Sequence, residues 1–444
     1  MIKNSYSLQD SNVEYLVVGT GPTGATIARE LAIAKKNVLI IEKGKWHSEH
    51  TLGFPLGIRI LDGFGYLSKS IDGTYIGRAI TVGGCSMVYN ANVFNPTNHI
   101  MQALGMDLMP EVTAIRKEIG VSVLPERFFH HCEGGNRLRE AAYKMGLTFI
   151  PQEKFINPDK CKIGCDWCML GCKYQAKWTS RAYLKEALQN NATLIHSIGV
   201  KKVLFHKQRA IGVLLENNQK LYAQNIIVSA GGMGSAQILL RSGINYAGLS
   251  LFIDPMNLVI GYGKDASYGG WKEMTFTHAI ESFKETHGFI ISNISASYAA
   301  IATSLRNQVF LNHLKDLPYI KRGIGLFVKL ADTPYGWIRS NGKTCKPLTM
   351  IDQHHMKVGT ELAKDILQKA GISSKNITVV EMIGGHPGGT AAIGKVVDKS
   401  FKTEYDGLYV CDTSIFPESP GIPPTLTLLA LAMRFSQRLL GNGR

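Results

Sequence analysis

The sequence predicts an α/β fold, in which a Rossmann-like dinucleotide-binding domain is joined to a second domain built on an antiparallel sheet. A glycine-rich turn lies between an apolar strand and a helical pattern near residue 20, and a second glycine-rich segment lies near the C-terminus, at residues 386–390. Strand-like stretches such as 288–297 occur between residues 251 and 379. With 444 residues, of which 45% are hydrophobic and 19% charged, the chain can form two or three folded domains.

The first predicted unit is strand, turn, helix and strand. Residues 13–18 are apolar, residues 22–33 have a helical pattern, and residues 37–41 form a second apolar run. Three glycines at the first turn have the spacing of a dinucleotide fingerprint, namely Gly19, Gly21 and Gly24. Such glycines allow the tight turn, the approach of a pyrophosphate to the backbone and close packing of the helix on the strand.

The residues beside these glycines complete the predicted nucleotide site. Pro22 and Thr23 begin the helix, whose free N–H groups and partial positive charge attract a pyrophosphate. Glu42 ends the second strand and is followed by Lys43. A carboxylate at this position accepts hydrogen bonds from ribose hydroxyls and disfavours a 2′-phosphate. This motif does not by itself distinguish FAD from NAD.

Four further segments identify a family resemblance. They are 82–86 (VGGCS), 227–244 (IVSAGGMGSAQILLRSGI), 386–394 (HPGGTAAIG) and 408–432, which contains PTLT. In these segments the chain resembles the glucose–methanol–choline (GMC) family of flavin oxidoreductases. The resemblance extends from about residue 12 to the C-terminus and is weakest at 250–350, a region that varies with substrate in that family.

The resemblance implies a bound FAD. Besides the residues named above, it implies cofactor contacts at Gly83, Gly84, Ser86, Asn90, Val200, Ala230, Gly231, Asp412, Pro424 and Thr425. The glycine pair allows backbone to approach a flat ring, and a helix predicted at 425–440 directs its N-terminus toward the reduced flavin. Cys85 lies in the same loop, where a covalent flavin bond is a less favoured alternative to a small buried side chain.

His386 is the predicted catalytic base, because alcohol oxidation removes a hydroxyl proton and the pKa of histidine lies near neutrality. In the GMC family a second Asn or His precedes the PTLT segment, whereas this chain has Pro423 there, which offers no side-chain polar group and no N–H. Four other histidines are candidates for the missing hydrogen bond: His278, His287, His354 and His355. This departure leaves open an unusual substrate, or reduction of a C=C or C=O bond.

Four cysteines occur within twelve residues, in the pattern C-x3-C-x2-C-x3-C: Cys161, Cys165, Cys168 and Cys172. Thiolates are soft ligands suited to iron–sulfur clusters or zinc. The spacing favours [4Fe–4S] over [3Fe–4S], which would leave one thiol idle. With Ala176, the last two cysteines resemble the cluster-containing dehydrogenases of the GMC family. A buried helical stripe, a structural zinc, a disulfide and a radical-SAM motif are less favoured alternatives.

The predicted FAD domain is discontinuous and comprises residues 1–95, 190–250 and 380–444. Residues 96–189 form a helical insertion that contains the cysteines, and residues 251–379 form the substrate domain. Trp271, Phe276 and Tyr298 are candidate pocket residues there.

The net charge of +15 is compatible with an acidic redox partner or an anionic membrane surface. No Lys/Arg run or nucleic-acid motif supports nucleic-acid binding. Residues 1–12 lack the apolar core of a signal peptide, which predicts a cytoplasmic location, with peripheral membrane contact left open.

We therefore predict a FAD-dependent dehydrogenase acting on a small-molecule CH–OH group, which passes electrons through the cluster to ferredoxin or a quinone. The alternatives are a ferredoxin-driven reductase and a non-catalytic electron-transfer flavoprotein. Substrate, reaction direction, acceptor and oligomeric state are not determined by the sequence.

Overall fold

The computed structural model describes residues 13–48, 67–130, 132–165, 167–262, 268–269, 273–295 and 322–441. The strands in these residues are β1 (Tyr15–Val18), β2 (Val38–Glu42), β3 (Leu67–Lys69), β4 (Tyr75–Gly77), β5 (Asn92–Val93), β6 (Ser122–Val123), β7 (Ile150–Pro151), β8 (Glu153–Lys154), β9 (Thr193–His196), β10 (Val200–His206), β11 (Arg209–Leu215), β12 (Lys220–Tyr222), β13 (Asn225–Val228), β14 (Leu249–Leu251), β15 (Pro255–Gly261), β16 (His278–Ile280), β17 (Phe289–Ile294), β18 (Ile324–Leu330), β19 (Gly336–Ile338), β20 (Thr344–Cys345), β21 (Ile377–Gly384) and β22 (Leu408–Val410). The α-helices are α1 (Pro22–Ile33), α2 (Asn98–Leu104), α3 (Met109–Ile119), α4 (Glu133–Tyr143), α5 (Arg181–Gln189), α6 (Gly231–Arg241), α7 (Lys284–His287), α8 (Met350–Lys369) and α9 (Thr425–Leu439).

A parallel sheet of five strands, in the order β22-β13-β1-β2-β9, forms the nucleotide-binding half. Val17 of β1 pairs with Ile40 of β2 on one side and with Ile227 of β13 on the other. All the residues of β1 and β2 are buried, as expected for strands covered on both faces. The sequence predicts α1 correctly and places the first two strands within two residues of their observed bounds.

An eight-stranded sheet forms the other half, in the order β3-β4-β21-β15-β18-β17-β16-β7. Its described pairings are antiparallel except that of β4 with β21, so the antiparallel prediction holds with one exception. The sheet recruits β3, β4 and β7 from segments that lie far from residues 251–379 in sequence. Helix α8 covers β15, β17 and β18 and encloses an apolar core.

Four helices of the nucleotide-binding half pack against one another. Helix α1 contacts α5 and α9, and α9 also contacts α3. Pro22 occupies the first turn of α1, where the missing N–H of proline costs no hydrogen bond.

In the other half of the molecule, Thr349 and Asp352 form a reciprocal capping box at the start of α8.

In the described part of the chain, no helix is both long enough and apolar enough to cross a membrane. Trp271 and Tyr298 lie outside the described residues, as do residues 1–12.

Candidate active site

A continuous cavity of about 400 Å³ joins the two halves of the molecule. Most of the sequence-predicted site residues line it: Gly19, Gly21, Pro22, Thr23, Glu42, Lys43, Gly84, Ser86, Asn90, Val200, Ala230, Gly231, His386, Asp412, Pro424 and Thr425. The fold therefore brings the N-terminal and C-terminal motifs together around one cavity.

The fingerprint glycines have distinct surroundings. A Cβ on Gly19, whose φ is +107°, would overlap the Ser229 carbonyl, and a Cβ on Gly24 would overlap the backbone of Gly19. Gly24 therefore does not line the cavity but allows α1 to pack closely on β1. A Cβ on Gly21 would meet no atom within 4 Å, so its backbone is open to the cavity.

Glu42 is buried, and its carboxylate is held by the turn that it faces. Glu42 Oε2 accepts hydrogen bonds from the Thr20 amide (2.9 Å) and hydroxyl (2.6 Å), and Oε1 accepts from the Gly44 amide (2.7 Å). Burial raises the pKa of Glu42, and these hydrogen bonds act in the opposite direction. Beside it, Lys43 Nζ lies 3.1 Å from Glu216 Oε1, and Val200 begins β10 on the same wall.

Asp412 orders the second glycine-rich turn. Its Oδ2 accepts from the Gly231 amide (2.8 Å) and from Ser235 Oγ (2.5 Å), and its Oδ1 accepts from the Ser414 amide (2.8 Å). Gly231 has φ +76°, and a Cβ there would meet no neighbouring atom. The carboxylate thus fixes a turn whose backbone is open to the cavity.

The 83–90 loop approaches the first turn from the opposite wall. The Gly83 amide donates to Thr20 Oγ1 (2.9 Å), and Gly83 itself is not part of the cavity lining. Ser86 Oγ is engaged within the protein, by the Gly83 carbonyl at 2.6 Å and Ser180 Oγ at 2.8 Å. Cys85 is exposed and lines the cavity.

Helix α9 begins at the cavity, where Pro424, Thr425 and Leu428 lie on the wall. Eleven of the fifteen residues of this helix are buried, and its N-terminal N–H groups carry a partial positive charge. The helix can therefore stabilise negative charge at this end of the cavity.

His386 is bonded to a buried carboxylate. The distance from His386 Nδ1 to Asp254 Oδ2 is 3.2 Å, and Lys329 Nζ donates to the same oxygen. Ser419 Oγ and the Gly421 amide, at 3.3 Å, donate to Asp254 Oδ1. The Asp254 and Lys329 side chains are 0% and 1% exposed, and that of His386 is 28% exposed. The carboxylate fixes the imidazole and leaves Nε2 as the nitrogen available to a ligand.

Burial and the Lys329 ammonium favour the neutral form of His386. Burial and the Lys329 ammonium lower the pKa of His386, while Asp254 acts in the opposite direction. Burial acts to raise the pKa of Asp254, but Lys329 and His386 outweigh it, so the net pKa is lowered. At neutral pH, Asp254 is an anion and His386 is a free base.

The backbone before and after His386 is fixed by close packing. The His386 amide donates to the Ile253 carbonyl at 3.0 Å, so His386 and its carboxylate partner lie on adjacent segments. A Cβ on Gly388 would overlap the Phe252 ring and the Thr413 carbonyl. Only glycine therefore allows the His386 loop to pack at this depth.

Pro423 lines the cavity, and none of the four alternative histidines does. His278 contacts Arg139 Nη1 at 2.8 Å, and burial lowers the pKa of His278 to about 4. His287 and His355 pack against each other, with ring centroids 5.3 Å apart.

Asp254 and Lys329 were not predicted from the sequence. The available signal was Lys329 itself, a charged residue in the otherwise apolar and fully buried strand β18.

The wall beside His386 also includes apolar side chains from both halves of the molecule: Phe94, Met256, Phe276, Ile290 and Phe327. The rings of Phe276 and Phe327 are in contact, with centroids 4.3 Å apart. Phe276 has φ +57°, an uncommon conformation for an aromatic residue. Of the three sequence-predicted pocket residues, Phe276 is the one within the described part of the chain.

The cysteine segment is a loop with one short 3₁₀ turn, Cys168–Leu170. All eight cysteines of the chain lie in the described residues, and each is a free thiol, so the disulfide alternative is not observed. Burial and the other three cysteines of the loop raise the pKa of Cys161 to about 12. Among the described residues, no three His, Cys, Asp or Glu side chains form a group that could hold a metal ion.

Comparison with known proteins decides the family. The model of the N-terminal GMC oxidoreductase domain matches residues 13–256, and that of the C-terminal domain matches residues 347–432. This chain belongs to the GMC oxidoreductase family. As a GMC oxidoreductase it is a FAD-dependent enzyme, in agreement with the resemblance in its motifs.

Three relatives of this GMC oxidoreductase align with almost the whole of this chain. An uncharacterised protein of Methanocaldococcus jannaschii is 28% identical over 431 residues, covering 96% of this chain and all of the relative. An uncharacterised GMC-type oxidoreductase of Mycobacterium tuberculosis is 24% identical, covering 97% of this chain and 76% of the relative. A long-chain-alcohol oxidase of Arabidopsis thaliana is 23% identical, covering 96% of this chain and 67% of the relative.

The fold of this GMC oxidoreductase is similar to that of pyridoxine 4-oxidase from Mesorbium loti. The two structures superpose with a TM-score of 0.74 and 15% sequence identity, covering 98% of this chain and 100% of the other.

FAD fits the cavity. The backbones of Gly21 and Gly231 are open to the cavity, as the approach of a pyrophosphate requires, and the start of α9 lies at the same cavity as His386. These features provide for a dinucleotide and for the electron-rich side of a reduced flavin.

Proposed function

We propose that this enzyme oxidises the CH–OH group of an alcohol with an apolar body. His386 carries the proposal, because its Nδ1 is held by buried Asp254 while its ring lies on the cavity that contains the nucleotide motifs. In this role, Nε2 of the neutral imidazole takes the hydroxyl proton. FAD, when bound, supplies the hydride acceptor.

In this proposal, a separate group of residues would hold each part of FAD. Gly19, Gly21, Pro22, Thr23, Ala230 and Gly231 would hold the pyrophosphate, with Gly24 allowing the helix to approach. Glu42, Lys43 and Val200 would receive the adenosine. Gly84, Ser86, Asn90, Pro424 and Thr425 would surround the ring, with Gly83 and Asp412 fixing the turns.

The substrate class is inferred from the wall beside His386. Phenylalanine, methionine and isoleucine side chains cover it, and aliphatic chains bind such surfaces by the hydrophobic effect. Relatives named long-chain-alcohol oxidases are consistent with this inference. Ser292 and Asn92 are uncharged polar residues that line the same cavity.

The test is anaerobic reduction of the bound flavin by primary alcohols of increasing chain length. We expect bleaching of the flavin absorbance, with an apparent affinity that rises with chain length. His386→Gln should retain FAD and reduce it about 10²–10⁴ times more slowly, the usual contribution of a general base. If no alcohol bleaches the flavin while reduced ferredoxin drives reduction of an alkene, the enzyme is the reductase considered above.

A second, separate proposal concerns the cysteine loop: the four thiols bind an iron–sulfur cluster, [4Fe–4S] in preference to [3Fe–4S], that supplies electrons to ferredoxin or a quinone. Met169, between Cys168 and Cys172, lines the flavin cavity. Nearby, the fully buried Lys154 donates to three neutral oxygens, those of Asn90, Asn92 and Thr275. An anionic cluster would compensate this charge. The described side chains do not form a ligand set, so the cluster would require the loop to rearrange.

Iron and sulfide analysis of anaerobically purified protein tests the cluster. We expect about four iron atoms per chain in the wild type and loss of iron in Cys168→Ala and Cys172→Ala, with Cys345→Ala as the matched control outside the loop. Iron-free protein that reduces oxygen rapidly would instead make the enzyme an oxidase and would remove the need for a carrier. A location in the cytoplasm, with or without contact with a membrane surface, remains part of the proposal.

A further inference from the structure

Lys329 shares a cavity with the position at which this chain departs from its family. The position at which the family has an Asn or His beside the base is Pro423, which has no hydrogen-bonding side chain. Lys329 lines the same cavity, and it is a charged residue on a strand that is otherwise apolar and buried at every position. Burying an ammonium is costly, so its presence here calls for a reason.

The geometry connects Lys329 to the base through one oxygen. Lys329 Nζ and His386 Nδ1 both contact Asp254 Oδ2, and two donors on the same oxygen lie within about 6 Å of each other. The other oxygen of Asp254 is occupied by Ser419 and Gly421. The carboxylate therefore has a fixed orientation, and any change in the charge of Lys329 acts directly on the group that holds His386.

We propose that Lys329 is a positioning residue for this reaction, which keeps His386 oriented and in its neutral, proton-accepting form through the carboxylate they share. This role rests on the proposed function, in which His386 is the base. A buried carboxylate beside an imidazole normally favours the imidazolium. The ammonium on the same oxygen offsets that preference, so Asp254 orients the ring without drawing a proton onto it.

Two other acidic residues near the site have partners of their own. Behind Asp254, Asp332 lies 3.0 Å from Lys346 and accepts hydrogen bonds from the amides of Ile253 and Asp254. In the 416–424 segment, Glu418 lies 3.9 Å from His99. Among the described residues, Lys329 and Asp254 are the charged groups that shift the pKa of His386.

The test is a pH titration of His386 by NMR, on FAD-bound enzyme labelled with ¹³C at the Cε1 of its thirteen histidines. The His386 signal is identified by its loss in His386→Gln. Lys329→Met removes the ammonium at similar side-chain size, and Asp254→Asn removes the carboxylate. Lys395→Met removes a lysine that is bonded to Ser250 at the surface, and serves as the matched control.

We expect the pKa of His386 to rise by about one unit or more in Lys329→Met, since a charge within 6 Å acts strongly on a partly buried group. In Asp254→Asn it should fall below the wild-type value, and in Lys395→Met it should not change. If Lys329→Met does not fold, the double variant Asp254→Asn/Lys329→Met decides: its His386 should have a higher pKa than that of Asp254→Asn alone.

A purely structural ion pair would leave the His386 pKa unchanged in Lys329→Met, and that result overturns the proposal. The titration needs no substrate, so its outcome is independent of whether alcohols reduce the flavin. Where they do, the acid limb of the reduction rate should move to higher pH in Lys329→Met by the same amount as the pKa.

Discussion

The Asp254–Lys329 pair allows a prediction about stability in which one substitution repairs another. Both side chains are almost completely excluded from solvent. In Asp254→Asn the Lys329 ammonium remains buried and faces a neutral amide. Leaving one member of a buried pair without its partner costs about 3–5 kcal/mol in the free energy of unfolding. Because domains are usually stable by about 5–15 kcal/mol, the loss should be large.

Lys329→Met should cost less than Asp254→Asn. The Asp254 carboxylate would keep Ser419, Gly421 and His386 as donors, and His386 can take up a proton to pair with it. The double variant Asp254→Asn/Lys329→Met contains no unpaired charge. We therefore expect it to recover about 2 kcal/mol or more of the loss caused by Asp254→Asn.

The assay is urea unfolding of the wild type, both single variants and the double variant at neutral pH. FAD is held at one fixed excess, because ligand release contributes to the apparent stability. The two midpoints that matter are those of Asp254→Asn and the double variant. If the two losses simply add, the ion pair contributes nothing beyond its separate residues and the reasoning from burial is refuted.

Three further predictions follow from the same structure. Gly21→Ala should leave the free energy of unfolding of the FAD-free protein nearly unchanged, because the added Cβ meets no atom within 4 Å. It should weaken FAD binding at least about tenfold, because the methyl group would fill the proposed pyrophosphate space. A fluorescence titration that gives equal FAD affinity for the variant and the wild type would contradict this. The rate of flavin reduction should fall as the pH drops through the pKa of His386, because the base is then protonated, and the midpoint of a stopped-flow pH series should lie below the ordinary value of 6.5. Thr349→Ala should lower the free energy of unfolding by about 0.5–2 kcal/mol through loss of the α8 cap, whereas Thr349→Ser should retain most of it in the same urea assay.

The nucleotide-binding unit was predictable from sequence because its signals are local. The glycine spacing, the apolar strands and the position of Glu42 together specify a strand–turn–helix–strand unit within thirty residues. The resemblance in separate motifs then predicted FAD, and the family assignment confirmed it. The contacts predicted for individual residues remain predictions, although the fold places most of them on one cavity.

The large sheet was predictable only in outline. Strand patterns between 251 and 379 indicated antiparallel pairing, but β21 pairs in parallel with β4, which comes from a distant part of the chain. Pairing between strands that are distant in sequence depends on how their side chains pack in the folded protein, and no local sequence pattern predicts it. The cysteine loop shows the same limit, because spacing suggests a ligand set while the described side chains do not converge into one.

The order of residues along this chain determined the dinucleotide turn, the base and the loss of its usual partner at Pro423, since each depends on residue type at a short spacing. What surrounds the base was decided by tertiary structure. Asp254, Lys329 and His386 come from a strand entry, a buried strand and a glycine-rich loop that are up to 132 residues apart, and they meet at one carboxylate. The interaction between two charges depends on their separation in space and not along the sequence. The protonation state of His386 therefore depends on the packing of all three segments, and no one segment predicts it.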